Sequence, residues 1–285
     1  MKKISIPVVV EPGSQPADED GVVLDYMRMP SETWTYSMPV VPEPEEIEGL
    51  EAGIEFLQKL ADALSKQKAG EPAAVLPVAT LDEANTELLD QVLGSGEVSI
   101  VYDGMVRARI QEAVLAGVWR VQYIDENDQV ERDVVEVGAI PSLIRDGVFT
   151  DASTDISFDP DSLPPGVGNA PSLLVEIADK VPDYQPGADP YVINLSLLPN
   201  TDEDLDMLAT TLGSGPAVIL SRGYGNCRIT STAASNVWWV QYFNSQDTLI
   251  LNTIEISRVP EVACAAQEDI DDSAERLTEI LDVYK

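Results

Sequence analysis

The side chains that most often carry protein chemistry are scarce in this chain of 285 residues, which has no histidine and two cysteines. Without histidine, imidazole acid–base catalysis, Ser-His-Asp and Cys-His arrangements and histidine metal ligands are excluded. Cys227 and Cys264 form neither a CxxC motif nor a zinc-binding spacing. We therefore expect no catalytic residue, no metal site and no cofactor, and we predict that the chain is not an enzyme.

An arginine-bearing turn supplies the first candidates for an interaction site. Its sequence SRGYGN, from Ser221 to Asn226, places Tyr224 between two glycines, with Arg222 within the turn and Arg228 just beyond it. In so acidic a chain, two neighbouring arginines indicate either a site for a partner's carboxylate or an internal salt bridge. The interaction candidates here are Arg222, Tyr224, Asn226 and Arg228.

A strand predicted near residues 236–243 supplies two further interaction candidates, Trp239 and Gln241. Alternate side chains of a strand share one face, so these two lie opposite Trp238, which we predict to be buried like its counterpart Trp119. Trp239 stands where the sister segment carries Arg120, and we expect it to be more exposed. It then either contacts a partner or packs against the amino-terminal arm.

The two thiols admit two interpretations each. Cys227 replaces a small residue, Ala108, beside a repeated isoleucine, which favours a buried and inert thiol over a reactive one. Cys264 is predicted early in the last helix, where the helix amino terminus would lower its pKa and make it reactive. Ordinary helix packing is the other interpretation for Cys264.

The body of the chain contains an internal repeat with an offset of 119 residues. The segments starting at Leu93 and at Leu212 align without a gap and share thirteen identities in 33 positions. Both open with LGSG, which follows a predicted helix and precedes a predicted strand, so it indicates a glycine helix stop rather than a phosphate loop. The alignment indicates an internal duplication.

Each copy predicts a helix, a strand, a second helix and an antiparallel meander. The fold class is therefore α+β, as two tandem repeats in layered α/β sandwiches, with an extended Pro-rich arm and a C-terminal helix. The predicted divisions are an arm over 1–46, a first repeat over 47–145, a linker over 146–168 and a second repeat with the C-terminal helix over 169–285. The prolines of residues 38–46 predict no helix there.

The charge balance restricts the partners. Seventeen basic residues oppose fifty acidic ones, for a formal net charge of −33. This surface repels nucleic acids and anionic membranes, and it is either a solubility device or a docking surface for a basic partner. The amino terminus does not match a secretory signal, and no segment approaches the apolar length of a transmembrane helix. We therefore expect a cytoplasmic protein without direct membrane insertion.

The segment from Ser221 to Tyr284, which begins SRGYGNCRITSTAASNVWWVQYFN, closely resembles the carboxy-terminal region of the HupH/HyaF family of hydrogenase expression/formation proteins. GVWRVQY in the first copy and the motifs PGSQP and PEPEE in the arm also match, so the resemblance covers nearly the whole chain. It implies an accessory protein or chaperone of [NiFe] hydrogenase maturation. The implied partners are the iron–sulfur small-subunit precursor before twin-arginine export and other hydrogenase accessory proteins.

The resemblance supplies no catalytic residues, and a second hypothesis stays open. In this alternative, the protein is an iron–sulfur carrier or scaffold that uses Cys227 and Cys264. Clusters normally need about four ligands, so the alternative requires a dimer or cysteines from a client.

Overall fold

A computed structural model describes residues 38–39, 41–223 and 225–284. It has an α+β architecture built on one ten-stranded antiparallel sheet. Most of the predicted arm, with its tyrosines and Trp34, lies outside the described residues. The described part of residues 38–46 differs from the prediction, because Pro44–Ile47 form a short 3-10 helix. Proline is tolerated at the first position of a helical turn, where the missing N–H has no intrahelical partner to lose.

The two halves follow the same order of elements. The first half contains α1 (Glu51–Leu64), β1 (Ala74–Pro77), α2 (Glu83–Leu93), β2 (Val98–Asp103), β3 (Arg107–Glu112), β4 (Val118–Ile124) and β5 (Val130–Val137). The second half contains α3 (Ala170–Lys180), β6 (Tyr191–Asn194), α4 (Asp202–Leu212), β7 (Ala217–Ser221), β8 (Asn226–Ser231), β9 (Val237–Phe243) and β10 (Leu249–Ile256). The chain then forms α5 (Gln267–Asp282).

The halves meet in the middle of the sheet. The strand order is β1-β5-β4-β3-β2-β7-β8-β9-β10-β6, so β2 pairs with β7 and each half runs outward from that junction. Ile100 stands opposite Ile219 at the junction, and these residues are the same position in the two halves. The sequence pattern does not indicate that both halves share one sheet.

Helices cover one face of the sheet in two groups. In the first half, Leu57 and Leu60 of α1 and Leu277 of α5 are buried against strand residues such as Val118. In the second half, α3 and α4 form a separate core over β9 and β10, with Leu174, Leu208, Val237 and Ile254. Although α5 follows the second half in sequence, it packs on α1 of the first half. None of the helices in the described ranges combines the length and apolar character needed to cross a bilayer.

The opposite face of the sheet carries a third core. Trp119 and Trp238 lie there without solvent exposure, which confirms their predicted burial at matching positions. Their indole N–H groups donate to equivalent carbonyls, Gly138 at 2.9 Å and Ser257 at 3.2 Å. Phe149, from the predicted linker, packs edge-on against Trp238 with ring centroids 5.1 Å apart. The connecting segment is therefore part of the core packing.

Candidate functional site

Polar side chains form the floor of the helical face near the centre of the sheet, where β3, β4, β8 and β9 run. Ala108 and Ile110 of β3 belong to the core on the other face, so the alternation of the strand turns Arg109 and Gln111 toward the helical side. Arg109 stands opposite Gln122, and Arg228 stands opposite Gln241. The two arginine–glutamine pairs occupy equivalent positions in the two halves, 119 residues apart.

The first half has a cleft between the end of α2 and this floor, with a volume of about 180 Å³. Arg120 lies in it, and its guanidinium donates to Asp133 at 2.5 and 2.7 Å and to Asp90 at 2.9 Å. Gln111 closes the same cleft and accepts a hydrogen bond from Ser99 at 2.5 Å. Two carboxylates thus balance one buried cation, and the network occupies the cleft.

The second half has a cleft at the equivalent place, between α4 and β8–β9, with a volume of about 260 Å³. Trp239 replaces Arg120, and Asn252 replaces Asp133; the indole Nε1 donates to the Asn252 amide oxygen at 2.5 Å. Ala209 replaces Asp90, so this half lacks the carboxylates that balance the first cleft. The cleft lining is an aromatic wall with hydroxyl and amide groups from Thr230, Thr232, Ser214 and Gln241, and with Asp206 on the helix side.

Arg228 lies next to two residues that line the second cleft. Its neighbours on the same sheet face, Thr230 along β8 and Gln241 across on β9, both line the cleft. The Arg228 side chain is 5% exposed. Burial lowers the pKa of its guanidinium from the ordinary value, and its Nε has no hydrogen-bond partner among the described residues.

Comparison with known proteins decides the family. The model of the HupH hydrogenase expression protein C-terminal conserved region matches residues 51–151 and 167–284. The chain belongs to the HupH family. It is 48% identical to the hydrogenase expression/formation protein HoxQ of Cupriavidus necator, covering 99% of this chain and 98% of that protein. It is 30% identical to the hydrogenase-1 operon protein HyaF of Escherichia coli, covering 94% of this chain and 93% of that protein.

A solved structure, the hydrogenase expression protein HupH from Thiobacillus denitrificans, is 31% identical in sequence to this HupH-family chain. The match covers 39% of this chain and 93% of that one, with a TM-score of 0.37.

The predicted exposed or semi-exposed setting of Trp239 is wrong, although its side chain is slightly more exposed than that of Trp238. This side chain is 6% exposed and belongs to the core of the second half, under α3 and α4. Strand alternation correctly places Trp239 opposite Trp238, but helices cover that face too. Its interaction role stays a prediction, and only the part of the ring that lines the cleft is available for it.

The other interaction candidates lie in different surroundings. Gln241 is buried beside Trp239 on the cleft floor, and Arg228 is its cross-strand neighbour. Arg222 is exposed at the end of β7, and its backbone N–H donates to the Glu97 carbonyl at 3.1 Å. The half-buried Asn226 begins β8 and donates to Asp247 at 3.4 Å. Tyr224 lies outside the described residues. The structure therefore brings together Arg228, Trp239 and Gln241 from the predicted set.

Both thiols have a raised pKa. Burial, followed by the nearby Glu255 carboxylate, raises the pKa of Cys227 to about 12. Burial, followed by Glu261, raises that of Cys264 to about 12. The predicted placement of Cys264 in the last helix is wrong, because it follows the short 3-10 helix Glu261–Ala263 and precedes α5. Since metal ligation requires thiolates, these environments weaken the iron–sulfur alternative.

Sequence reasoning missed the network around Arg120. In the sequence, Arg120 is identified solely as the counterpart of Trp239, and Asp90 and Asp133 carry no predicted role. The signal was available, because Arg120, Asp90 and Asp133 all change together between the halves, to Trp239, Ala209 and Asn252. Joint replacement of a cation and its two carboxylates indicates that they interact.

Proposed function

We propose that this chain is an accessory protein of [NiFe] hydrogenase maturation, a non-catalytic chaperone that binds the iron–sulfur small-subunit precursor in the cytoplasm before twin-arginine export. The observation that carries the proposal is similarity over nearly the full length to proteins named for hydrogenase expression and formation. The family model matches residues in both halves of the chain. The similarity is therefore not confined to one half, which supports a shared role.

The cleft of the second half supports a binding role. It offers a flat aromatic wall, hydroxyl groups and an amide within about 260 Å³, a combination that suits one or two side chains of a polypeptide. The first cleft presents an already balanced ion network instead. We infer that the client contacts the second half through Trp239, Gln241 and Arg228. Arg222 and Asn226, near the rim of the sheet, are further contacts in this proposal, as is Tyr224, which lies outside the described residues.

The charge supports a steered encounter with a basic segment. A twin-arginine signal is basic, and a protein of net charge −33 attracts it over a distance limited by salt screening to about 8 Å at physiological ionic strength. Such steering changes the association rate more than the dissociation rate. The acidic surface and the cleft therefore act at different stages of binding.

Binding kinetics across a salt series test this function. The purified chain is presented with the small-subunit precursor, with the same subunit lacking its signal, and with the hydrogenase large subunit as the control client. We expect the precursor to bind, with association slowing as salt rises and dissociation little changed. The signal-less subunit should show a weaker salt effect. If neither form of the small subunit binds, the proposed function is wrong.

We also infer that the two halves are tandem repeats of one ancestral unit. The element order, the cross-strand registers and the two clefts all recur at the offset of 119. The strand order runs outward from the β2–β7 junction in both directions, as two copies related by a twofold axis would arrange it. On this account one copy kept or acquired an ion network and the other an open aromatic cleft.

A further inference from the structure

Arg228 is a buried cation in a strongly acidic protein. Within the ranges that the structure describes, Arg228 takes part in no ion pair, and its buried Nε is without a hydrogen-bond partner. Burying an uncompensated charge costs folding free energy. A chain with fifty acidic residues has ample material for a counter-ion, so the lack of one at this position calls for a functional explanation.

The first half shows that the fold is able to supply a carboxylate here. Arg109 is the equivalent of Arg228, and its Nη2 lies 3.7 Å from Asp128 Oδ1. The equivalent of Asp128 is Asp247, which lies within hydrogen-bond distance of Asn226 instead. The second half thus keeps the arginine and the aspartate but does not bring them together.

The cleft next to Arg228 provides the other groups that a bound carboxylate side chain would contact. Gln241 is opposite Arg228 and offers an amide donor, Thr230 offers a hydroxyl, and Trp239 supplies a flat wall for the hydrocarbon part of a side chain. The net charge of −33 repels small free anions. A carboxylate therefore has to arrive on a molecule that gains binding free energy elsewhere, as a polypeptide does.

We propose that Arg228, with Gln241 and the wall formed by Trp239, binds a carboxylate side chain, aspartate or glutamate, of the client polypeptide. This inference rests on the proposed function, which supplies the client. The guanidinium donates two parallel hydrogen bonds to the carboxylate, the geometry that arginine favours over lysine. The acidic surface attracts a basic segment of the client, and this site selects for an acidic residue elsewhere on the same client.

Zero-length cross-linking tests the contact directly. In Arg228→Lys, a carbodiimide joins the lysine amine to a carboxylate in contact with it as an amide, while the reagent takes up the oxygen as a urea. The matched control is Arg109→Lys, which should cross-link within the chain to Asp128, the partner of Arg109 in the ion pair. With the small-subunit precursor bound, Arg228→Lys should cross-link to an aspartate or glutamate of the precursor, identified by mass spectrometry of the peptides.

Three outcomes overturn the inference. One is a cross-link from Arg228→Lys to an acidic residue of this chain's own residues 1–37, which makes the arm the occupant. Another is a cross-link to Asp206 or Asp247, which makes the pairing internal. The third is unchanged affinity: Arg228→Met and the polar Arg228→Gln should each weaken precursor binding at least about 10-fold, and wild-type affinity in both refutes the site. If the wild-type chain itself fails to bind the precursor, the proposed function fails first.

Discussion

The two clefts on the helical face occupy the same place in the two halves of the molecule and differ in how their polar groups are balanced. In the first, Arg120 is held between Asp90 and Asp133. In the second, a neutral pair of Trp239 and Asn252 stands at those positions, and Arg228 nearby has no described carboxylate. In the first half, the buried arginine is paired with carboxylates and stabilises the fold. In the second half, a buried arginine without a described carboxylate lies near an open cleft.

The largest effect should come from breaking the balanced network. Arg120→Met leaves Asp133, which is 20% exposed, without its cation. We expect a loss of about 3–5 kcal/mol in the free energy of unfolding, since an uncompensated buried charge remains. Urea denaturation followed by tryptophan fluorescence measures this loss.

The matched control for that experiment is Arg228→Met. Because Arg228 has no described partner to leave behind, its removal should leave the free energy of unfolding unchanged or raise it slightly. Equal destabilisation by both substitutions would contradict the contrast between the clefts and would indicate that Arg228 is internally paired.

Exchanging the chemistry of the two clefts should sharpen the comparison. Trp239→Arg places a cation in the second cleft, where Ala209 and Asn252 offer it no carboxylate. We expect a loss of about 3 kcal/mol. Adding Asn252→Asp recreates the Arg120–Asp133 pair and should recover at least about 1 kcal/mol. Full additivity in this double-mutant cycle would show that the two positions do not interact.

A smaller effect on stability should come from the side chain that accepts hydrogen bonds from the backbone at the first helix of each half. Asp204 Oδ1 accepts hydrogen bonds from the N–H groups of Gly168, Asn169 and Ala170 at 2.8–2.9 Å. The equivalent Asn85 is neutral and accepts one bond, from Gly53 at 2.7 Å. Burial alone would raise the pKa of Asp204, but its hydrogen bonds to backbone N–H groups lower it to about 2.

Asp204→Asn should therefore cost about 2 kcal/mol at pH 7, because charge-assisted bonds become neutral ones. The folded pKa lies below the unfolded value of about 3.9, so this stability is fully present above pH 4 and is lost as the pH falls toward 2. The difference between wild type and variant should shrink over that window. Denaturation at pH 7, 4 and 2.5 tests it, and a constant difference would contradict the assignment.

Comparing the two halves of the sequence predicted much of this architecture. The carboxy-terminal ends of α2 and α4 follow from the LGSG stops, where Gly94 and Gly213 adopt φ of 58° and 65°. Alternation along β4 and β9 correctly assigned Trp119 and Trp238 to the same buried face of the sheet. Period-two reasoning assigns a side chain to a face, but it does not show what covers that face, so the burial of Trp239 was missed.

The sequence pattern also did not determine the pairing of β2 with β7 or the packing of α5. Both depend on contacts between segments far apart in the chain, and hydrophobic periodicity carries no information about which apolar faces meet. The balance of Arg120 depends likewise on residues from α2 and β5. Only the joint replacement of three residues between the halves indicated that Arg120 is paired with these carboxylates.

The smallest effect should come from Cys227, where the halves differ by one sulfur atom. Its equivalent is Ala108, and both are buried on the face opposite the helices. Cys227→Ala should cost about 1 kcal/mol or less, the scale of one buried methylene. The same substitution tests the iron–sulfur alternative, in which loss of this thiol abolishes any iron that co-purifies with the chain.

Thiol chemistry should separate the two functions even where stability does not. With the pKa of both thiols raised to about 12, the thiolate fraction at pH 7.5 is far below that of an ordinary free cysteine. Iodoacetamide should therefore modify wild type slowly when folded and promptly in urea, and Cys227→Ala should bind the small-subunit precursor like wild type. Rapid alkylation of folded Cys264, together with lost binding in Cys227→Ala, would favour the carrier hypothesis over the cleft. The cleft lined by Trp239 and Gln241 lies on the other face of the sheet from Cys227, so this substitution should not disturb it.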